Sequence, residues 1–127
     1  MNQKGMGRLN EILKELEKMG CVSSVFFFGS RSRGKARQDS DYDLAVITKD
    51  ATIKEELKIL GMGDETFNIS VFSRLPLIIK FRVLKEGKLM FCKDKTYLYN
   101  TRYHIFKEYL DFQPFIHSFY RRVLTNV

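Results

Sequence analysis

The sequence predicts an α/β (α+β) protein: one small mixed β-sheet with helices packed on it and two further helices at the C-terminus. Three observations lead there. Short β-prone apolar runs alternate with longer segments whose apolar residues recur at helical spacing. Glycine and proline punctuate the joints between those segments. The chain has 127 residues, 44% of them hydrophobic and 13% aromatic, which suffices for one real core and excludes a disordered chain.

The elements follow in order. Leu9, Ile12, Leu13 and Leu16 predict an amphipathic helix over roughly 6–19, ended by Gly20. Val22 to Phe28 is a buried strand, ended by Gly29. Asp43 to Thr48 is a second strand. Thr52 to Leu60 reads as a helix, with Thr52 as N-cap and Glu55 completing a capping box. Gly61 and Gly63 punctuate, and Thr66 to Phe72 is a third strand. Pro76 and Gly87 bracket a helix over 76–86. Lys88 to Cys92 is a short strand. Thr96 to Tyr109 is a helix, "DFQP" interrupts it, and Pro114 to Leu124 is the last helix. Residues 1–95 read as the core unit and 96–127 as a helical extension, packed on that unit or used against a partner. Neither repeats nor low-complexity linkers are visible.

Composition bounds the function. Net charge is +7, unevenly spread: residues 1–76 carry +1 and residues 77–127 carry +6. A basic C-terminal part suits an acidic partner, nucleic acid or protein, or simply a well-solvated surface. No apolar run approaches the roughly 20 residues that span a bilayer, and no signal peptide is apparent, so the expected location is cytoplasmic. Cys21 and Cys92 are too few for a disulfide framework and read as free thiols. His104 and His117 stand alone at helical positions and read as ordinary surface or core histidines. Phe26, Phe27 and Phe28 read as sheet packing. The C-terminal aromatics exceed what one small core requires, and beside Arg121 and Arg122 they suit packing or a protein contact.

The chemistry concentrates in "FFFGSRSRGKARQDSDYDLAVI", Phe26 to Ile47. Asp41 and Asp43 are two apart, so on a strand they share a face and Tyr42 turns the other way, into packing. Two carboxylates on one face repel unless a cation lies between them. Mg²⁺ is usually held by one or two carboxylates plus phosphates and water, so this spacing suits phosphoryl or nucleotidyl transfer. Gly29 lets the backbone approach a phosphate, and Ser30 offers a hydroxyl at a turn or helix start. Arg33 is placed to reach a triphosphate, while Arg31, Lys35 and Arg37 add positive potential. Each piece alone is weak. A strand, Gly-Ser, ten residues holding Arg33-Gly34, then Asp-x-Asp entering a second strand is a specific combination.

"GSRSRGKARQDSDYDL" resembles the signature of the DNA polymerase β nucleotidyltransferase superfamily, Gly-Ser-x10-Asp-x-Asp. More narrowly, the chain is similar to the minimal nucleotidyltransferases (MNT) that are antitoxin partners of HEPN toxins. "LPLIIKFRVLKEGKLMF" and "EYLDFQPFIHSFYRR" carry that likeness across most of the chain. The resemblance implies a nucleotidyltransferase fold, Mg²⁺ and a nucleoside triphosphate, with ATP as substrate. It implies metal on Asp41 and Asp43, and triphosphate on Gly29, Ser30 and Arg33. It also implies a protein acceptor: such antitoxins adenylylate tyrosine on the HEPN toxin and block its RNase activity. With little chain after the sheet for gripping nucleic acid, the acceptor is expected on another molecule, with homo- or hetero-oligomers left open.

One position departs from the pattern. The third carboxylate of the family is expected on the strand "FNISVF", where this chain has Asn68. Asparagine is neutral, a weaker metal ligand, and no general base. Asp64 and Glu65 lie just upstream and could substitute only if that strand began earlier. Two rival readings therefore stand beside transfer: an antitoxin that neutralises by binding alone, and a small basic nucleic-acid-binding protein.

Overall fold

A computed structural model of the chain describes residues 3–29 and 42–125. Four helices and four strands are present among them. These are α1 (Gln3–Lys18), β1 (Val22–Phe28), β2 (Tyr42–Thr48), α2 (Ile53–Leu60), β3 (Phe67–Val71), α3 (Leu77–Glu86), β4 (Lys88–Cys92) and α4 (Lys95–Thr125). A 3₁₀ turn, Phe72–Arg74, joins β3 to the approach of α3. The strands form one mixed sheet in the order β3-β2-β1-β4. β1 runs antiparallel to both β2 and β4, and β2 runs parallel to β3. A parallel pair needs a crossover, and α2 supplies it.

Period-two alternation divides the strands between two cores. Val25 and Phe27, Leu44 and Val46, and Phe67, Ile69 and Val71 face α1 and α2, where Leu9, Ile12, Leu16 and Ile59 cover them. Phe26, Ala45 and Ile47 face the other way, under Val83 and Leu84 of α3 and Leu98 and Ile105 of α4. The sheet is thus covered on both faces, which is why β1 and β2 read as nearly continuous apolar runs.

Local chemistry explains the boundaries. The capping box at α2 is present: Thr52 Oγ1 accepts from the Glu55 N–H at 3.1 Å, and the Thr52 N–H donates to Glu55 Oε1 at 2.9 Å. Pro76 stands at the N-cap of α3, one residue outside the helix. Gly87 follows α3 with extended, not left-handed, backbone. Its missing side chain matters for space, since a Cβ there would lie 2.5 Å from the Val83 carbonyl oxygen.

The C-terminal part corrects the expectation of two helices. α4 is one 31-residue helix with Pro114 inside it. Proline at 114 removes the amide that would bond the Leu110 carbonyl, and its ring crowds that carbonyl, which weakens the helix without ending it. The segment 95–125 contains no glycine to take a left-handed exit, so the helix runs on. Tyr97 pins its start, donating its hydroxyl to the Thr48 carbonyl at 3.0 Å. Further along, Tyr109 stacks on Phe81 of α3 with centroids 3.9 Å apart.

Candidate active site

Asp43 is the second residue of β2, at the sheet end where β1 finishes and β3 begins. In the ladder it faces Phe28 on one side and Asn68 on the other. Its side chain shares the face of Ala45 and Ile47, the face covered by α3 and α4. Asn68 extends from the matching position of β3, and its Nδ2 donates to Asp43 Oδ1 at 3.0 Å. A carboxylate has about four lone-pair sites, and this bond occupies one in a fixed direction.

The other oxygen lies close to Gly29, in space that a side chain there would take. The backbone there has φ 97°, a conformation that suits glycine. A Cβ at this position would run into Asp43 Oδ2. Gly29 was expected to admit a phosphate; the close approach visible is to the Asp43 carboxylate itself. The strand entrance is fixed from the opposite face. Tyr42 is buried between two rings, 5.8 Å from Phe27 and 5.0 Å from Phe67. Its N–H donates to the Thr66 carbonyl at 2.8 Å. The inward turn expected of Tyr42 is therefore observed.

Asp64 and Glu65 do not replace Asn68. Asp64 Oδ1 accepts from the backbone N–H groups of Thr66 at 2.8 Å and Phe67 at 2.9 Å. Its Oδ2 lies 3.5 Å from Arg8 Nε of α1. The carboxylate thus shapes the turn into β3. The Phe67 and Thr66 amides, assisted by Arg8, hold its pKa below the ordinary aspartate value. Glu65 is exposed in the same turn. This side-chain-to-backbone cap escaped the sequence reading, although Asp two residues before Thr is a common sign of one.

Asp41, Ser30 and Arg33 lie outside the described residues, as do Arg31, Lys35 and Arg37. Among the described residues, no three acidic, cysteine or histidine side chains gather as a metal cage. The donor chemistry nonetheless fits Mg²⁺, which takes one or two carboxylates and completes its octahedron with phosphate oxygens and water. Asp43 is such a carboxylate, held by the Asn68 hydrogen bond and close to Gly29. An amide at 68 also puts no second negative charge against Asp43. Both cysteines are free thiols. No described helix is long and apolar enough to cross a membrane.

Comparison with known proteins bears on the family and the fold. A sequence model of the family described as Polymerase beta, Nucleotidyltransferase matches residues 10–96. A Methanocaldococcus jannaschii protein named as a candidate protein adenylyltransferase is 30% identical over 73 residues, 58% of each chain. The chain thus spans less than two thirds of that curated relative. Among solved structures, a chain of a toxin–antitoxin with AMP-PNP superposes with TM-score 0.72 at 15% identity, over 93% of this chain and 97% of that one. A chain in the complex of tri-AMPylated Shewanella oneidensis HEPN toxin with MNT antitoxin gives TM-score 0.67 at 16% identity, over 98% and 99%. These likenesses show a shared fold. With the family match covering residues 10–96 and the mixed sheet of four strands, the chain belongs to the polymerase β nucleotidyltransferase family.

Proposed function

We propose that the chain is a cytoplasmic, Mg²⁺-dependent minimal nucleotidyltransferase that moves AMP from ATP onto a tyrosine hydroxyl of a HEPN toxin, and so acts as its antitoxin. The observation that carries this reading is the oriented carboxylate: Asp43, bonded by Asn68 and close to Gly29, at the mouth of the family's sheet. The name of the M. jannaschii relative supports transfer of AMP to protein, and the toxin–antitoxin complexes that share the fold support the partner.

Asp41 and Asp43 would hold the metal, and Gly29, Ser30 and Arg33 the triphosphate. Bound there, Mg²⁺ would offset charge on the phosphate oxygens. The acceptor oxygen forms a bond to the α-phosphorus, the bond from that phosphorus to the β-phosphate bridging oxygen breaks, and pyrophosphate leaves. Asn68, at the expected third-carboxylate position, has no basic oxygen to take the hydroxyl proton, which passes to solvent. Tyrosine suits such a site because its unperturbed pKa is only about 10.

The test mixes the chain with Mg²⁺, α-labelled ATP and the HEPN protein encoded beside it. Label should appear on the toxin, and Asp43→Ala should abolish it. Label transfer by the variant at the normal rate would refute the assignment. Asn68 also favours a second reading, neutralisation by occlusion; then Asp43→Ala would still silence the toxin, with no label on it.

A further inference from the structure

α4 is apolar on two sides. Leu98 and Ile105 face the core, yet Tyr99, Tyr103 and Leu110 stand exposed at helical spacing on another face, with the half-buried Phe106 between that face and the core. Tyr99 is 70% exposed, Tyr103 56% and Leu110 60%. These four, with Arg102 and Lys107, line a groove of about 520 Å³, with Asp111 at its end. Arg102 borders the groove and the sheet together: its guanidinium lies 5.7 Å from the Phe26 ring centroid. Its Nε is buried, and no hydrogen-bond partner for it stands among the described residues. Phe26 pairs with Ala45, two residues along β2 from Asp43 and on the same face. The groove's basic edge therefore touches the same sheet face that carries Asp43.

We propose that this face of α4 seats the acceptor protein, taking a segment that brings apolar side chains to Tyr99, Tyr103 and Leu110 and carboxylates to Arg102 and Lys107. The inference rests on the transfer reading above, because an acceptor hydroxyl must arrive on the face that holds Asp43. Charge identifies the occupant as acidic: residues 77–127 carry +6. A second copy would bring that half against itself. Nucleic acid fits less well, since Leu110 and the Asp111 carboxylate would meet its phosphates. Exposed tyrosines beside arginine are the residue types that anchor protein interfaces.

The test titrates the purified HEPN partner into the wild-type chain, Tyr99→Ala/Tyr103→Ala and Lys107→Glu. Both replaced sets are exposed, so folding is preserved, and Mg²⁺–ATP binding by calorimetry is measured on each. The expected result is partner affinity at least tenfold weaker in both variants, with nucleotide binding unchanged. Undiminished partner affinity would overturn the proposal. So would a self-dimer of the chain, seen by ultracentrifugation, that Tyr99→Ala/Tyr103→Ala dissociates, or tight binding of a single-stranded RNA oligonucleotide that Lys107→Glu abolishes. Absent nucleotide binding in the wild type would instead remove the transfer reading on which the surface depends.

Discussion

Asp43 accepts from the Asn68 amide through one carboxylate oxygen, and the other occupies space that a side chain at residue 29 would fill. Gly29→Ala meets two penalties, a backbone conformation costing about 1–3 kcal/mol for a non-glycine residue and a clash with Oδ2. Thermal melting should show a loss of that order, and calorimetry should show weaker Mg²⁺–ATP binding; an unchanged variant would mean Gly29 does not shape the site. Asp64 makes a pH prediction. Its pKa is depressed by amides and Arg8, so its stabilising contribution is present above the unfolded value, near 3.9, and is lost as pH falls through the lower folded value. Asp64→Asn should therefore melt below wild type at pH 7, and the gap should close below about pH 4. A gap independent of pH would contradict this role. That Asn68 stands on a strand was legible because "FNISVF" is a short β-prone run. The contact of Gly29 with Asp43 was not, because it depends on how two strands align across the sheet.

At the scale of elements, β1 and β2 were legible because each is a compact apolar run buried on two faces, and β3 because its residues alternate. α2 was legible because its cap is local, and Thr52→Ala should cost about 1 kcal/mol in chemical denaturation. No measurable loss would mean the capping box is idle in solution. The last helix departs from the sequence expectation because proline does not act as a stop here. Proline weakens a helix by about 3 kcal/mol without ending it where no alternative turn chemistry follows. Pro114→Ala should therefore raise thermal stability while far-ultraviolet dichroism stays nearly constant. A large gain in helical signal would mean that the two halves are separate helices in solution, as the sequence suggested.

The whole molecule is a sheet with two unlike faces. One is closed over a core by α1 and α2; the other holds Asp43 and Asn68 at one end and lies beneath α3 and α4. Catalysis and acceptor docking would then share a single face, with its basic excess in the half that follows residue 76. Fold class was legible because it follows from the order of elements and from the Asp-x-Asp pattern. The exposed row on α4 was visible only as an excess of aromatics, because burial depends on which helix faces the sheet uses. Everything returns to whether Asp43 handles a metal-bound nucleotide. Isothermal titration of a non-hydrolysable ATP analogue, with and without Mg²⁺, into wild type and Asp43→Ala tests this most directly. The account predicts Mg²⁺-dependent binding by the wild type and none by a folded Asp43→Ala; a flat wild-type titration, or equal binding by both, would contradict it.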